Sequence, residues 1–207
     1  MHVVVAAFDV DNTLTVRDCV VPFMQRIAGR LGFLKACVSR PLVVGKMVMA
    51  RDRDALKAHF IHQVFAGKDV EHVTQQGVDF AAQVVSSWMR QDVTQRMRWH
   101  QSQGHVVVLV SASLDVYLNA LGDLCEVDAV LCTELEHDSG VFTGNIVGNN
   151  CRGDEKVRRL QDWMSSAGIS SNSLIYAYGD SSGDTVLLNA AQCGYNVKHV
   201  DNLLEHV

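Results

Sequence analysis

Val3-Val4-Val5-Ala6-Ala7-Phe8-Asp9-Val10-Asp11-Asn12-Thr13-Leu14-Thr15 is the stretch whose reading decides the fold. Apolar residues lead up to Phe8, the pattern of a strand buried in a parallel sheet, and the run then ends in two carboxylates. Side chains two apart on a strand share a side, so Asp9 and Asp11 converge on one site if the strand geometry continues that far. Carboxylates that close repel unless a cation or a shared proton relieves them. The pair therefore suggests a Mg²⁺ site or an acid–base pair; the alternative is a polar strand end or a helix cap.

Two later stretches repeat the pattern. Val106-Val107-Val108-Leu109-Val110 reads as a buried strand ending in Ser111-Ala112-Ser113, with a helical stripe after it. Leu174-Ile175-Tyr176-Ala177-Tyr178 reads as another, ending in Gly179-Asp180-Ser181-Ser182-Gly183-Asp184 before a helix. Ligands of open α/β sheets bind outside the carboxyl ends of strands, so polar groups at three such ends point to one site. Ser111 reads either as a hydroxyl that holds an anion's oxygen together with its neighbouring amides, Ala112 included, or as a helix N-cap, for which Ser113 is the better candidate.

Working outward, further strands are expected at about 127–132 and at 195–200, alternating with helices, and the class is α/β: a doubly wound, Rossmann-like parallel sheet. Between residues 16 and 100 the pattern is helical. Val20, Met24, Ile27, Leu31 and Leu34 form one stripe, Leu56, Phe60 and Val64 a second, and Val78, Ala81, Val85 and Trp88 a third. This predicts a core of 1–16 and 101–207 with an all-helical cap, 17–100, inserted after the first strand. Asp138-Ser139-Gly140 marks a tight turn in a small hairpin, and Gly168 a left-handed helix end.

The order Asp9-x-Asp11-x-Thr13, then Ser111, then Lys156, then Gly179-Asp180 to Asp184 resembles the four motifs of the haloacid dehalogenase superfamily of phosphohydrolases, over the whole chain. With its helical insertion between the first two motifs, and with Phe142-Thr143-Gly144 and Asn150 to Lys156, it is similar to the phosphoserine-phosphatase-like branch (subfamily IB). Phosphoryl transfer needs an in-line nucleophile, a cation and donors for the equatorial oxygens. Asp9 is then the nucleophile, passing through an aspartyl phosphate, and Asp11 the general acid and base. The resemblance implies the same roles. It adds Mg²⁺ held by Asp9, the Asp11 backbone carbonyl and Asp180, with Asp184 behind. Thr13 would donate to the phosphate, and Lys156 would supply positive charge. Some members carry that charge where this chain has Arg152, so Lys156 and Arg152 both stand as candidates. Asn12 stands where glycine or serine is commoner, and Gly183 where asparagine is frequent.

Substrate choice in this branch resides in the cap. By spacing, Asp18 and Lys57 match the groups that phosphoserine phosphatases use for the amino and carboxylate ends, although lysine lacks the planar two-point grip of arginine, and both also read as ordinary surface charges. The expected substrate is a small phosphorylated metabolite, phosphoserine among them. The alternatives are a phospholipid head-group phosphatase and a silent phospho-ligand-binding protein. His59 and His62 are candidates for the entrance or a metal, against a packed or solvated role.

Composition sets the remaining bounds. A net charge of −5 without an interleaved basic–aromatic patch argues against nucleic acid as a partner. Cys19, Cys37, Cys125, Cys132, Cys151 and Cys193 form no Cys-x-x-Cys pair, which fits reduced thiols in a cytoplasmic protein. The amino terminus carries the first motif and so reads as no signal peptide. The apolar segment 33–50 is interrupted by Lys35, Arg40 and Lys46 too often for a spanning helix. It reads as a packed cap helix or as a basic helix at a lipid surface. Oligomeric state leaves no mark in the sequence.

Overall fold

The computed structural model describes residues 3–39, 41–50, 52–200 and 203. The Val3-led run forms β1 (Val4–Phe8), the centre of a five-stranded sheet. β1 pairs in parallel with β2 (Val106–Leu114), from Val5–Val106 to Phe8–Leu109. On its other side it pairs with β6 (Leu174–Gly179), from Val4–Leu174 to Phe8–Tyr178. β3 (Ala129–Thr133) flanks β2, and β7 (Cys193–Asn196) flanks β6, giving the order β3-β2-β1-β6-β7, all parallel. The chain runs outward from β1 to β3, then crosses back to β6 and β7. The reversal therefore falls at β1, where doubly wound sheets bind ligands.

Strand alternation sorts the core into two layers. Ala6, Phe8, Val107, Leu109 and Tyr178 belong to a layer continuous with the core of the helical insert, whereas Val5, Ala7, Val108, Val110 and Ala177 face α7 (Asp154–Ser166) and α8 (Thr185–Ala190) through Leu160, Met164 and Leu187. A small antiparallel hairpin, β4 (Leu135–Asp138) and β5 (Val141–Ile146), turns at Ser139 and Gly140. Both turn residues have positive φ, 49° and 83°, as a two-residue hairpin turn requires.

The insert is all helical: α1 (Val20–Val38), α2 (Pro41–Met49), α3 (Arg53–Phe65) and α4 (Val70–Ser87), followed by α5 (Gln91–Ser102). The chain enters and leaves it side by side, with Val16 N donating to the Trp88 carbonyl (2.8 Å) and Arg90 N to the Leu14 carbonyl (2.9 Å). Past this neck α5 lies on the sheet. Its buried Arg96 donates from Nε to the Tyr178 hydroxyl (2.7 Å), and His100 Nε2 lies 2.9 Å from the same oxygen. α4 crosses α6 (Asp115–Leu124) so closely that a Cβ on Gly77 would lie 1.8 Å from the Val116 carbonyl oxygen.

Three sequence expectations need correction. β2 continues through Ser111–Leu114, so Ser113 sits inside a strand and caps no helix. The last strand begins at Cys193, because Gly194 lets it close on the Leu188 carbonyl, and it ends by Asn196. The α1 stripe breaks at Gly29 (φ 69°, ψ 161°), which turns the later half of the helix. Met24 is buried and Val20 and Ile27 pack on the core, whereas Leu31 and Leu34 face solvent.

Gly77→Ala tests the α4–α6 crossing. Helix propensity alone would gain about 1 kcal/mol, but overpacking against a backbone carbonyl costs about 1–3 kcal/mol or more. A net fall in Tm by thermal denaturation is expected; a rise would contradict the close crossing.

Candidate active site

β1 delivers Asp9 to the carboxyl edge of the sheet, where its amide donates to the Tyr178 carbonyl (2.9 Å). The next five residues, Val10–Leu14, wind into a single wide turn. Asn12 makes that turn with φ 60° and ψ 5°, a left-handed conformation that asparagine tolerates better than most side chains. The sequence departure at this position thus meets the same backbone requirement as glycine. The turn folds Thr13 back, and its buried hydroxyl donates to Asp9 Oδ2 (3.0 Å).

Lys156, in the first turn of α7, is almost wholly buried and donates to Asp9 Oδ1 (2.6 Å) and Asp184 Oδ1 (2.5 Å). Burial disfavours its charge, but the two carboxylates outweigh that and hold its pKa above the ordinary lysine value. At Asp184 burial again opposes ionisation; Lys156 and the Ser181 hydroxyl (2.7 Å) overcome it, and the carboxyl stays below the usual range. At Asp9 burial wins over Lys156 and pushes the pKa up.

Asp11 faces different partners. Its Oδ1 accepts from Cys19 N (2.8 Å) and its Oδ2 from the Ser113 hydroxyl (2.7 Å), which in turn accepts from Tyr117 (2.7 Å). Burial, with Asp18 and Asp9 nearby, raises its pKa to about 7. A carboxyl so placed exchanges its proton near neutrality, as a general acid and base must.

A cavity of about 510 Å³ opens over these groups. Asp9, Asp11, Ser111, Ala112, Arg152, Lys156, Asp180 and Asp184, all singled out in the sequence, line it. Lys156 is the cation that touches Asp9. Arg152 sits on the wall, its Nη2 3.5 Å from Ser182 Oγ. Gly183 accommodates it, since a Cβ there would lie 3.1 Å from Arg152 Nε. Thr13 turns its hydroxyl to Asp9. Asp18 does not line the cavity; it caps α1 by accepting from Val21 N (3.0 Å). Lys57 is no surface charge. Its ammonium crosses to the core and donates to the Ala112 carbonyl, Thr133 Oγ1 (3.1 Å) and Asn150 Oδ1 (2.6 Å), and burial brings its pKa down to about 8. His62 packs on Gly144, and His59 Nε2 lies 3.4 Å from Ser39 Oγ.

Asn12 also lines the cavity, as do Arg53, Ser181, Ser182 and Lys198, which were not singled out. The two serines lie within a quoted motif. Arg53 arrives from the start of α3, and Lys198 because Val197 N donates to the Gly179 carbonyl (2.9 Å) beside that motif. Lys198 Nζ pairs with Asp180 Oδ2 at 2.5 Å. Neither placement has a local sequence signal. Among the described residues, Asp9, Asp180 and Asp184 form the cluster able to hold a metal ion, one oxygen from each lying within 4.8 Å of the others. Buried, oxygen-only donors in surplus over the one buried lysine fit Mg²⁺.

Several known proteins resemble this chain in sequence or in fold. The chain is 33% identical over 193 residues to protein CicA of Caulobacter vibrioides, covering 92% of this chain and 85% of that one. It is 27% identical over 196 residues to phosphoserine phosphatase SerB1 of Mycobacterium tuberculosis, covering 89% and 61%. A Bordetella pertussis protein of unknown function superposes with a TM-score of 0.73 at 20% identity, covering 92% and 87%. A phospho-aspartyl intermediate analogue of phosphoserine phosphatase does so at 0.63 and 18%, covering 92% and 84%. Residues 6–189 match the haloacid dehalogenase-like hydrolase family, and the chain belongs to that family.

Proposed function

We propose that this chain is a Mg²⁺-dependent phosphatase that hydrolyses a small phosphorylated metabolite through an aspartyl phosphate on Asp9. The observation that carries the reading is Asp9 itself. It is buried at a cavity floor, oriented by Lys156 on one oxygen and Thr13 on the other, with a second carboxyl of raised pKa beside it. The family and its phosphoserine phosphatase relatives support phosphatase chemistry.

In the first step an Asp9 oxygen attacks phosphorus, the bond from phosphorus to the ester oxygen breaks, and Asp11 gives its proton to the leaving alkoxide. In the second, water attacks the aspartyl phosphate and Asp11 takes the water proton. Inorganic phosphate leaves and Asp9 is regenerated. Ser111 and the amides around Ala112 would hold the equatorial oxygens, with Lys156 offsetting their charge. Asp9, Asp180 and the Asp11 carbonyl would hold Mg²⁺, with Asp184 fixed behind by Lys156. Bound there, the ion neutralises the charge that would otherwise keep a carboxylate from a phosphate dianion. The intact carboxylate set weighs against a silent binder.

Phosphoserine gains no particular support at residue level. Asp18 caps a helix, Lys57 is spent on core acceptors and Lys198 pairs with Asp180, so among the described residues Arg53 and Arg152 are the cations left at the wall. Asp54 and Lys57 of α3 grip Asn150 from both ends, Asn150 Nδ2 donating to Asp54 Oδ1 at 2.6 Å. We place the cap boundary at the neck near residues 16 and 89, assign α5 to the core, and read the Asn150 grip as the clamp that holds α3 over the site.

Phosphate release from a panel of phosphomonoesters with Mg²⁺ tests the chemistry. Asp9→Asn is expected to lose at least 10³-fold in kcat, in keeping with loss of a covalent nucleophile, while still unfolding in a single cooperative transition. Chelation should abolish release by wild type and added Mg²⁺ restore it. Normal turnover by Asp9→Asn would refute the nucleophile. Lys57→Met tests the clamp: the backbone amides of α3 should exchange with deuterium about tenfold faster, as opening eased by roughly 1.4 kcal/mol implies. An unchanged rate would show that the grip holds nothing shut.

A further inference from the structure

Between Cys19 and Arg51 the sequence holds Arg26, Arg30, Lys35, Arg40, Lys46 and Arg51 and not one acidic residue, in a chain whose net charge is −5. The same segment carries exposed apolar side chains: Leu31 (77%), Leu34, Val38, Leu42 (82%), Val48 and Met49 (86%). The turn at Gly29 is what brings Leu31, Leu34 and Val38 outward, and they fall on one side of α1 by helical spacing. Leu42 and Met49 are likewise two helical turns apart on α2. Arg26 is spent on Gln76 and Asp79 of α4. Among the described residues Arg30, Lys35 and Lys46 form no ion pair.

We infer that the later half of α1 together with α2 docks on an anionic phospholipid surface. Exposed apolar side chains interleaved with unpaired cations are the chemistry of a helix pair lying in the interface plane, and no helix of the described residues is long and apolar enough to span a bilayer. Charge selects this occupant over a second copy of the chain. A two-fold contact would set this all-basic segment against itself, and like charges would oppose it. Position adds a consequence. α2 ends at Met49, and Arg53, four residues on, already lines the cavity, so docking brings the cavity mouth to the surface. On the phosphatase reading above, the substrate class becomes a phosphomonoester borne by, or held at, the membrane.

Vesicle flotation tests the docking without relying on turnover. The full chain is mixed with phosphatidylcholine vesicles with and without roughly one-third phosphatidylglycerol, and Asp9→Asn should bind as wild type does. Binding is expected on the anionic vesicles. Each positive charge removed from the surface should weaken it about fivefold at low salt, so Lys35→Glu with Lys46→Glu should nearly abolish it. Leu34→Ser, Leu42→Ser and Met49→Ser together should lose binding with unchanged Tm, since all three side chains are solvent-facing. Absence of wild-type binding, or binding indifferent to both sets of changes, would overturn the inference. So would a wild-type dimer in sedimentation that the serine variant dissociates, which would make a second copy the occupant.

Discussion

One buried ammonium organises this molecule. Lys156 sits between Asp9 and Asp184 with almost no exposure, and each of the three would be costly to bury alone. The arrangement persists because every partner is fixed by a different element. β1 carries Asp9, α7 carries Lys156, and the loop after β6 carries Asp184, which Ser181 holds in turn. The carboxyl ends of β1 and β6 must therefore meet the start of α7, and the parallel pairing of β1 with β6 places them there. Site geometry and sheet topology are one constraint.

Two carboxylates of the site diverge because their surroundings differ. Asp9 is tied to a fixed cation, whereas Asp11, two residues later, is held by a hydroxyl and an amide in a buried pocket with acidic neighbours. Burial raises both, Asp9 to about 6 despite Lys156 and Asp11 to about 7, so at neutral pH the first is the more readily ionised and the second the better proton carrier. The left-handed Asn12, just after both, closes the turn that brings the Thr13 hydroxyl back to Asp9.

Most of the fold was legible because its signals are local. Apolar runs marked β1, β2 and β6, and the polar residues at their ends marked the site. What escaped was tertiary. Ser113 resembles a helix cap, yet its strand continues and its hydroxyl serves Asp11. The helical stripe through Leu31 and Leu34 assumes a straight α1, and Gly29 breaks the phase. Arg53 and Lys198 reach the cavity only through the packing of α3 and the pairing near β7. Lys57 looked like a surface charge until its three core acceptors were seen together.

A covalent phosphoryl group on Asp9 is the central claim, and trapping it is the most direct measurement. Enzyme quenched in acid during steady-state turnover can be reduced with borohydride, which converts an aspartyl phosphate to homoserine and releases phosphate. Peptide mass spectrometry then reads the position. Homoserine at residue 9, dependent on substrate and Mg²⁺, is the expected result. Homoserine at residue 11, or none while wild type releases phosphate at full rate, would contradict it.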